Sequence, residues 1–353
     1  MNKFLLSLAL PVLSLFAEPI QQPDYSDPRV KYIPVDLHGM YQVHDAYGVT
    51  LSGSALFWKA YEEGLDYVIQ NVGTTAVNNN GSVKRPSFDW SWGSRISLGY
   101  EVPREKMDLD LSWTWYTSSG TESLNVTSPT TLFSVWSIPN GAGNAYEYNS
   151  KSHTHLVFNR IDLGVSGTFA PRSFLELTPI VDLSALWIHQ NFDFNLSGGP
   201  GINGLSVVDD KIAMKNNFFG IGPKFGINTL WNIGWGFGFF GNFNLSLLYG
   251  FFDISQKETV TFNGTGPNTY LDLESNFYHD PRMNFDLMLG LSWDWMFAAG
   301  KYHLHFDAGW ENSIFLGQNQ LMRFTNATYP GINNLVKGDL SLQGLTMRAL
   351  FTF

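Results

Sequence analysis

The chain contains no cysteine, so no disulfide framework supports it and its stability must come from packing and backbone hydrogen bonding. It is short of positive charge: 21 Lys and Arg stand against 31 Asp and Glu, a net charge of −10. That balance argues against a nucleic-acid partner and against electrostatic tethering to anionic lipid. After the first 17 residues no apolar run approaches the roughly eighteen residues that a membrane-crossing helix needs.

The first 17 residues read differently. MNKFLLSLALPVLSLFA has a cationic start at Lys3, an apolar run from Phe4 and a small residue, Ala17, before the polar EPIQQPDYSDP. This is the plan of a secretory signal peptide, residues 1–17, although Leu15 stands where a small residue is preferred. Residues 18–47 then read as an N-terminal periplasmic segment, either a tail or a partial plug. Aromatics make up 16% of the chain, there are 34 glycines, and mean hydropathy is close to neutral at −0.09. Such a mixture fits a large soluble all-β domain or a membrane barrel, where interior residues dilute lipid-facing ones.

Period-two alternation recurs along the chain. FDWSWGSRISLGYEV sets Phe88, Trp90, Trp92, Ile96, Leu98, Tyr100 and Val102 against Asp89, Ser91, Gly93, Arg95, Ser97, Gly99 and Glu101. MDLDLSWTWY, MNFDLMLGLSWDWMF and YHLHFDAGW repeat the pattern, and so does the C-terminal LQGLTMRALFTF. Strands are expected near 48–61, 87–102, 107–117, 154–169, 174–188, 217–228, 234–252, 282–297, 301–311 and 340–353. The first has room to run on through LDYVIQ, and TLFSVWSI in a later loop is a source of extra strands, giving about ten and at most twelve.

The connections alternate too. PREK, APRS, NTLWNI and AAGK are short, whereas the segments after odd-numbered strands are long and rich in Asn, Gly, Ser and Thr. A soluble sandwich has no reason to sort loops by parity. A transmembrane antiparallel β-barrel over 48–353 does, with short periplasmic turns and long extracellular loops. That reading places Trp90, Trp92, Trp113, Trp115, Trp187, Phe251 and Trp310 at the loop ends. Tyr100, Phe169, Trp235, Trp293, Trp295, Tyr302 and Phe353 fall at the turn ends. These are the two aromatic girdles expected at the two headgroup levels of a bacterial outer membrane. The last strand closes the ring against lipid, and its terminal Phe353 resembles the signal read by outer-membrane assembly machinery.

ALFWKAYEEGLDYVI, NNFFGIGPKFGINTLWNIGWGFGFFGNFNLSLLYGFF and AGWENSIFLGQNQ resemble, in order and spacing, the pore-forming outer membrane proteins related to the Legionella major outer membrane protein, a family also found in chlamydia-like bacteria. The resemblance covers most of the mature chain and implies an outer-membrane barrel that conducts small hydrophilic solutes. Family members whose cysteines cross-link the envelope have no counterpart in this cysteine-free chain.

Other chemistries are weaker. A literal G-x-G-x-x-G at Gly236, Gly238 and Gly241 lies inside an alternating strand, where glycines facing the lumen let backbones pack, and not at the strand-to-helix turn a dinucleotide site requires. His303, His305 and Asp307 share one strand face, a geometry able to converge on a metal, but no ligand from a second strand can be named. His153 and His155 are discounted likewise. No metal or cofactor is expected. Outer-membrane barrel proteases use acidic and His–Asp pairs at loop ends; Asp209–Asp210 and Tyr278-His279-Asp280 are the candidates here, without that family's spacing. The Asn-x-Ser/Thr triplets at Asn125, Asn195, Asn263 and Asn326 read as loop composition.

The expectation is therefore a non-enzymatic, porin-like channel, with a protease or an adhesin/envelope-structural barrel as alternatives. Its lumen is expected to carry Arg95, Asp108, Asp110, Arg160, Asp162, Asp182, Arg282, Asp286, Asp294, His303, His305, Asp307, Glu311 and Arg348. With acids in excess, a weak cation preference follows. Size is the tension. Barrels near eight strands are filled by side chains and wide channels need about sixteen, so a ten-strand lumen is narrow, gated by a loop or shut by its own ion pairs.

Overall fold

The computed structural model describes residues 48–72, 81–102, 107–139, 147–199, 206–297, 302–326, 328–329 and 331–353, with backbone alone at 277–280. The expected signal peptide, the segment 18–47 and the turns PREK and AAGK lie outside the described residues. Ten long strands make the barrel: β1 Val49–Glu62, β2 Ser91–Val102, β3 Met107–Asn125, β4 Asn149–Ser166, β5 Leu175–Ser197, β6 Val207–Gly234, β7 Phe237–Phe262, β8 Asn268–Phe297, β9 Tyr302–Asn319 and β10 Gly338–Thr352. A short strand, Phe169–Arg172, which takes in most of the expected turn APRS, folds back on β5 in the same sheet. Each barrel strand pairs antiparallel with its chain neighbours, and β10 pairs with β1 from Thr50↔Thr352 to Glu62↔Leu340. The ring is a closed up-and-down barrel, and closure gives its strands neighbours on both sides over the turn-side part, whereas above Asn284 β8 pairs with β7 alone among the described residues. Its seam is fastened at the chain end, where Val49 and Phe353 exchange backbone N–H···O bonds of 3.1 and 3.0 Å.

All ten expected strands are present, and several are much longer than their alternation suggested. The strand expected at 217–228 runs 207–234, and those expected at 234–252 and 282–297 run 237–262 and 268–297. The segment read as a long fourth loop is mostly strand, leaving 263–267 as the connection. The cause lies in the chemistry of the two faces. In the turn-side half, outward residues are apolar (Leu183, Phe225, Leu247) and inward ones polar (Asp182, Lys224, Ser246). Further up, the signs invert. Lys211, Lys215 and Lys257 point out, while Ile212, Met214 and Ile254 are buried inside.

Other expectations are corrected. NTLWNI is strand; the turn sits at Trp235 and Gly236, whose φ values of 57° and 81° suit the tight hairpin connections that need positive φ. The barrel strand does not continue through LDYVIQ. Residues Val68–Val72 instead join Gly81–Lys84 and Thr130–Ser134, the latter from TLFSVWSI, in a separate three-stranded sheet, so the barrel has ten strands and not twelve. Of the G-x-G-x-x-G glycines, Gly236 is in the turn and Gly238 faces inward. Gly241 faces outward, where an added Cβ would meet Leu289 and Trp231.

Candidate functional site: a layered lumen

Outside, two bands of aromatics ring the barrel. At the turn end Phe306, Trp293, Trp295, Phe297, Tyr302, Phe351 and Phe353 touch in sequence, with centroids 5.2–6.4 Å apart. Towards the loop end Trp90 stacks on Phe57 and meets Trp310 edge-on, and elsewhere on the barrel Phe219 stacks on Phe251 and meets Trp187 at a tilt. Between the bands lie exposed Leu98, Leu111, Leu163, Leu183, Leu247 and Leu287.

Inside, the lumen has three layers. Nearest the turns is a polar cavity of about 490 Å³, lined among others by Glu101, Asp108, Asp110, Glu176, Asp182 and His303. Asp110 at its rim is exposed. On one wall His303 Nε2 and His305 Nδ1 both contact Asp294 Oδ1, at 2.8 and 2.7 Å. The second nitrogen of His305 lies 3.2 Å from Asp307, which accepts from Arg348 Nε at 2.6 Å.

Above it, buried ion pairs cross the barrel. Arg160 donates from Nε to Asp162 and from Nη1 to Asp286, at 2.9 and 2.8 Å. Lys224 bridges Asp162 and Asp182, at 3.0 and 2.9 Å. Arg95 reaches Glu311 at 2.8 Å. The sequence builds this layer locally. At Gly164 an added Cβ would stand 1.8 Å from Asp182 Oδ1, so glycine there gives that carboxylate its space. Ser313 also donates to Asp286. Charges this buried are tolerable only because each is paired and hydrogen-bonded.

The loop-side half is filled largely by buried apolar side chains. Leu56, Trp58, Tyr116, Phe158, Leu186, Ile188, Phe218, Leu248, Phe315 and Leu342 project inward and are at most 2% exposed. Their polar tips are satisfied: the Trp58 indole donates to Thr346 Oγ1 and the Tyr116 hydroxyl to the Trp58 carbonyl, both at 3.0 Å. Loop residues Leu65, Tyr67, Val68, Leu132, Trp136 and Leu321 complete the same cluster as a cap. Tyr67 stacks on Phe194, and the Arg323 guanidinium lies over Trp136. Three buried carboxylates, Glu147, Asp210 and Glu258, sit beneath the cap, where Ser137 Oγ donates to Asp210 and the Ile138 N–H to Glu258. Burial, with Asp210 and Glu258 nearby, holds the Glu147 carboxyl well above the usual carboxylate range.

The expected lumen residues all lie on the inward parity of their strands, and all except Arg282, Asp294 and His305 line the turn-side cavity. Arg282 sits higher, over the Phe252 ring, and Asp294 joins His305 to His303, the one of the three that lines the cavity. The sequence reading put Glu101 on the polar face of its strand without naming it as lumen lining, and missed Lys224 and Glu176. Lys224 was legible in principle, because Phe219, Ile221, Pro223, Phe225 and Ile227 fix the opposite parity. It also missed the apolar upper filling. His153 and His155 face outward. Asp209 and Asp210 fall on opposite faces, the first paired with Lys211 outside, so they do not form an acidic pair. The side chains of Tyr278-His279-Asp280 lie outside the described residues.

A closed antiparallel barrel with an apolar outer belt, two aromatic girdles and a polar turn-side interior is a transmembrane barrel of the bacterial outer membrane. The chain belongs to the family of the Legionella pneumophila major outer membrane protein, whose sequence profile matches residues 44–353. No curated protein matches it. Among solved structures it is similar to the TodX deltaS2S3 mutant monoaromatic hydrocarbon channel (9% identity, TM-score 0.28, 87% of this chain and 91% of that one). It is also similar to a Pseudomonas aeruginosa FadL homologue (8%, 0.24, 86% and 89%) and to the translocator domain of the autotransporter NalP from Neisseria meningitidis (9%, 0.27, 86% and 89%). With TM-scores this low, these likenesses are remote.

Proposed function

We propose that the protein is a gated, pore-forming barrel for small hydrophilic solutes, weakly cation-preferring when open and shut in the conformation described. The observation that carries this reading is the acid-rich cavity leading from the turn end to an ion-pair layer whose cations already have more than one acceptor, as Lys224 does with Asp162 and Asp182. Such groups can exchange partners as ions pass. Conduction then requires the loop-side cap to lift and the apolar layer beneath it to hydrate. A second reading, an envelope-structural barrel that does not conduct, is favoured by that packed layer. In either reading outer-membrane lipid solvates the apolar belt, and the assembly machinery engages the strand ending at Phe353.

Planar-bilayer recording separates them. The wild type is expected to give rare, small steps. A variant with residues 66–84 replaced by a short Gly/Ser linker, which removes part of the cap, is expected to open more often. Silence from both, with heat-modifiable gel migration showing that both are folded, sinks the channel reading in favour of the scaffold.

A further inference from the structure

The sequence offered two histidines on one face of a strand and no partner from another; the fold supplies one. Asp294 on β8 stands opposite His305 in the β8–β9 register, and Met296 opposite His303. This brings one carboxylate between two imidazoles. The Asp294 oxygen, His303 Nε2 and His305 Nδ1 lie within 4.8 Å of one another. We propose that these three side chains form a binding site for a divalent late first-row transition metal, with Zn²⁺ as the best fit, at the periplasmic mouth of the lumen.

Four observations support it. Two imidazole nitrogens and one carboxylate oxygen are the donors that zinc takes in sites keeping an open fourth position. The ligands are held in place from behind: His305 presents its other nitrogen to Asp307, which Arg348 fixes in turn, the carboxylate–histidine arrangement that orients metal-ligating imidazoles. The Asp294 backbone is also pinned, its N–H donating 2.8 Å to the Gly236 carbonyl of the neighbouring turn. Finally there is a way in. His303 lines the cavity whose rim carries Asp108 and Asp110, carboxylates that raise the local concentration of cations. Of the three ligands His303 is the one that borders this cavity. Such a site would bind metal whether or not the barrel conducts.

The test is isothermal titration of the refolded barrel with Zn²⁺ in detergent, with Co²⁺ as a spectroscopic stand-in. One equivalent is expected to bind, and His303→Ala or His305→Ala to weaken binding at least tenfold. The outward-facing pair removed as His153→Ala/His155→Ala should leave it unchanged. Because the chain has no cysteine, His303→Cys offers a positive signal that survives poor folding of the alanine variants: a thiolate-to-Co²⁺ charge-transfer band in barrel that migrates as folded. Absence of binding by the wild type, affinity unaltered in both alanine variants, or folded His303→Cys without that band would overturn the site.

Discussion

Ser97 and Leu98 are neighbours in the chain and sit in different solvents. Leu98 is 52% exposed on the outer belt, whereas Ser97 Oγ lies 2.5 Å from Ser52 Oγ across the β1–β2 pair and lines the cavity. Leu98→Arg is expected to destabilise the barrel in vesicles by about 2–4 kcal/mol, the cost of a cation on the lipid face near the midplane. Ser97→Arg should cost far less, since Glu101 and Asp110 share its cavity. Urea titrations of both variants in lipid check this, and equal losses would refute the facing. The ion-pair layer carries a larger stake. Arg160→Met strips Asp286 of its nearest cation and should cost about 3–5 kcal/mol, as removing one partner of a buried pair does. Adding Asp286→Asn should restore part of that, and a strictly additive double variant would show the two are not coupled. At this scale parity was readable wherever large apolar residues marked the outer face. What parity does not encode is which inward residues meet. Asp294 and the two histidines are brought together by the β8–β9 register, and no single-strand pattern carries that information.

At the scale of the strand, a strand was easy to see only where lipid and a wet interior impose opposite demands on its two faces. Above the loop-side girdle those demands swap: β5, β6 and β7 turn Asp193, Lys215 and Lys257 outward and Phe194, Met214 and Ile254 inward. The geometry continues unbroken while the hydropathy pattern changes sign, so the upper strands read as polar loop. Turns depend on backbone conformation instead. Gly236, at φ 81°, would place a Cβ 2.4 Å from the Asp294 carbonyl, so Gly236→Ala should lower stability by more than about 1 kcal/mol in the same urea titration. The cap is expected to respond to pH. Because the folded-state pKa of Glu147 is raised, the protonated form favours the native packing. Its contribution is fully present below the ordinary carboxylate value and is lost as pH rises through the raised one. Amide exchange in 130–139, tied to Glu147 through the Leu132–Glu147 backbone bonds, is expected to slow on acidification in wild type and to lose that dependence in Glu147→Gln. An unchanged pH response in the variant would assign the effect elsewhere.

At the scale of the molecule, strand number, closure and membrane belt follow from alternation and loop parity, and the state of the lumen does not. The sequence marks which residues face inward; whether they leave a passage depends on how ten inward faces interdigitate, and in the loop-side half they meet in one buried apolar cluster. Ion selectivity should therefore be set at the one wet end. Asp108 and Asp110 line the cavity there, and none of the ion pairs of the middle layer runs through them. Asp108→Asn/Asp110→Asn should leave the fold and its heat-modifiable migration unchanged while removing negative charge where entering cations gather. In a channel opened by shortening the cap, the reversal potential under a salt gradient is expected to indicate weak cation preference with both aspartates present and to move towards zero without them. Anion preference in the parent channel would contradict an acid-lined entrance. A reversal potential that ignores the double substitution would move the selectivity step up into the layer of Arg160, Asp162 and Lys224, where the same substitutions cost stability and the two roles are no longer separable.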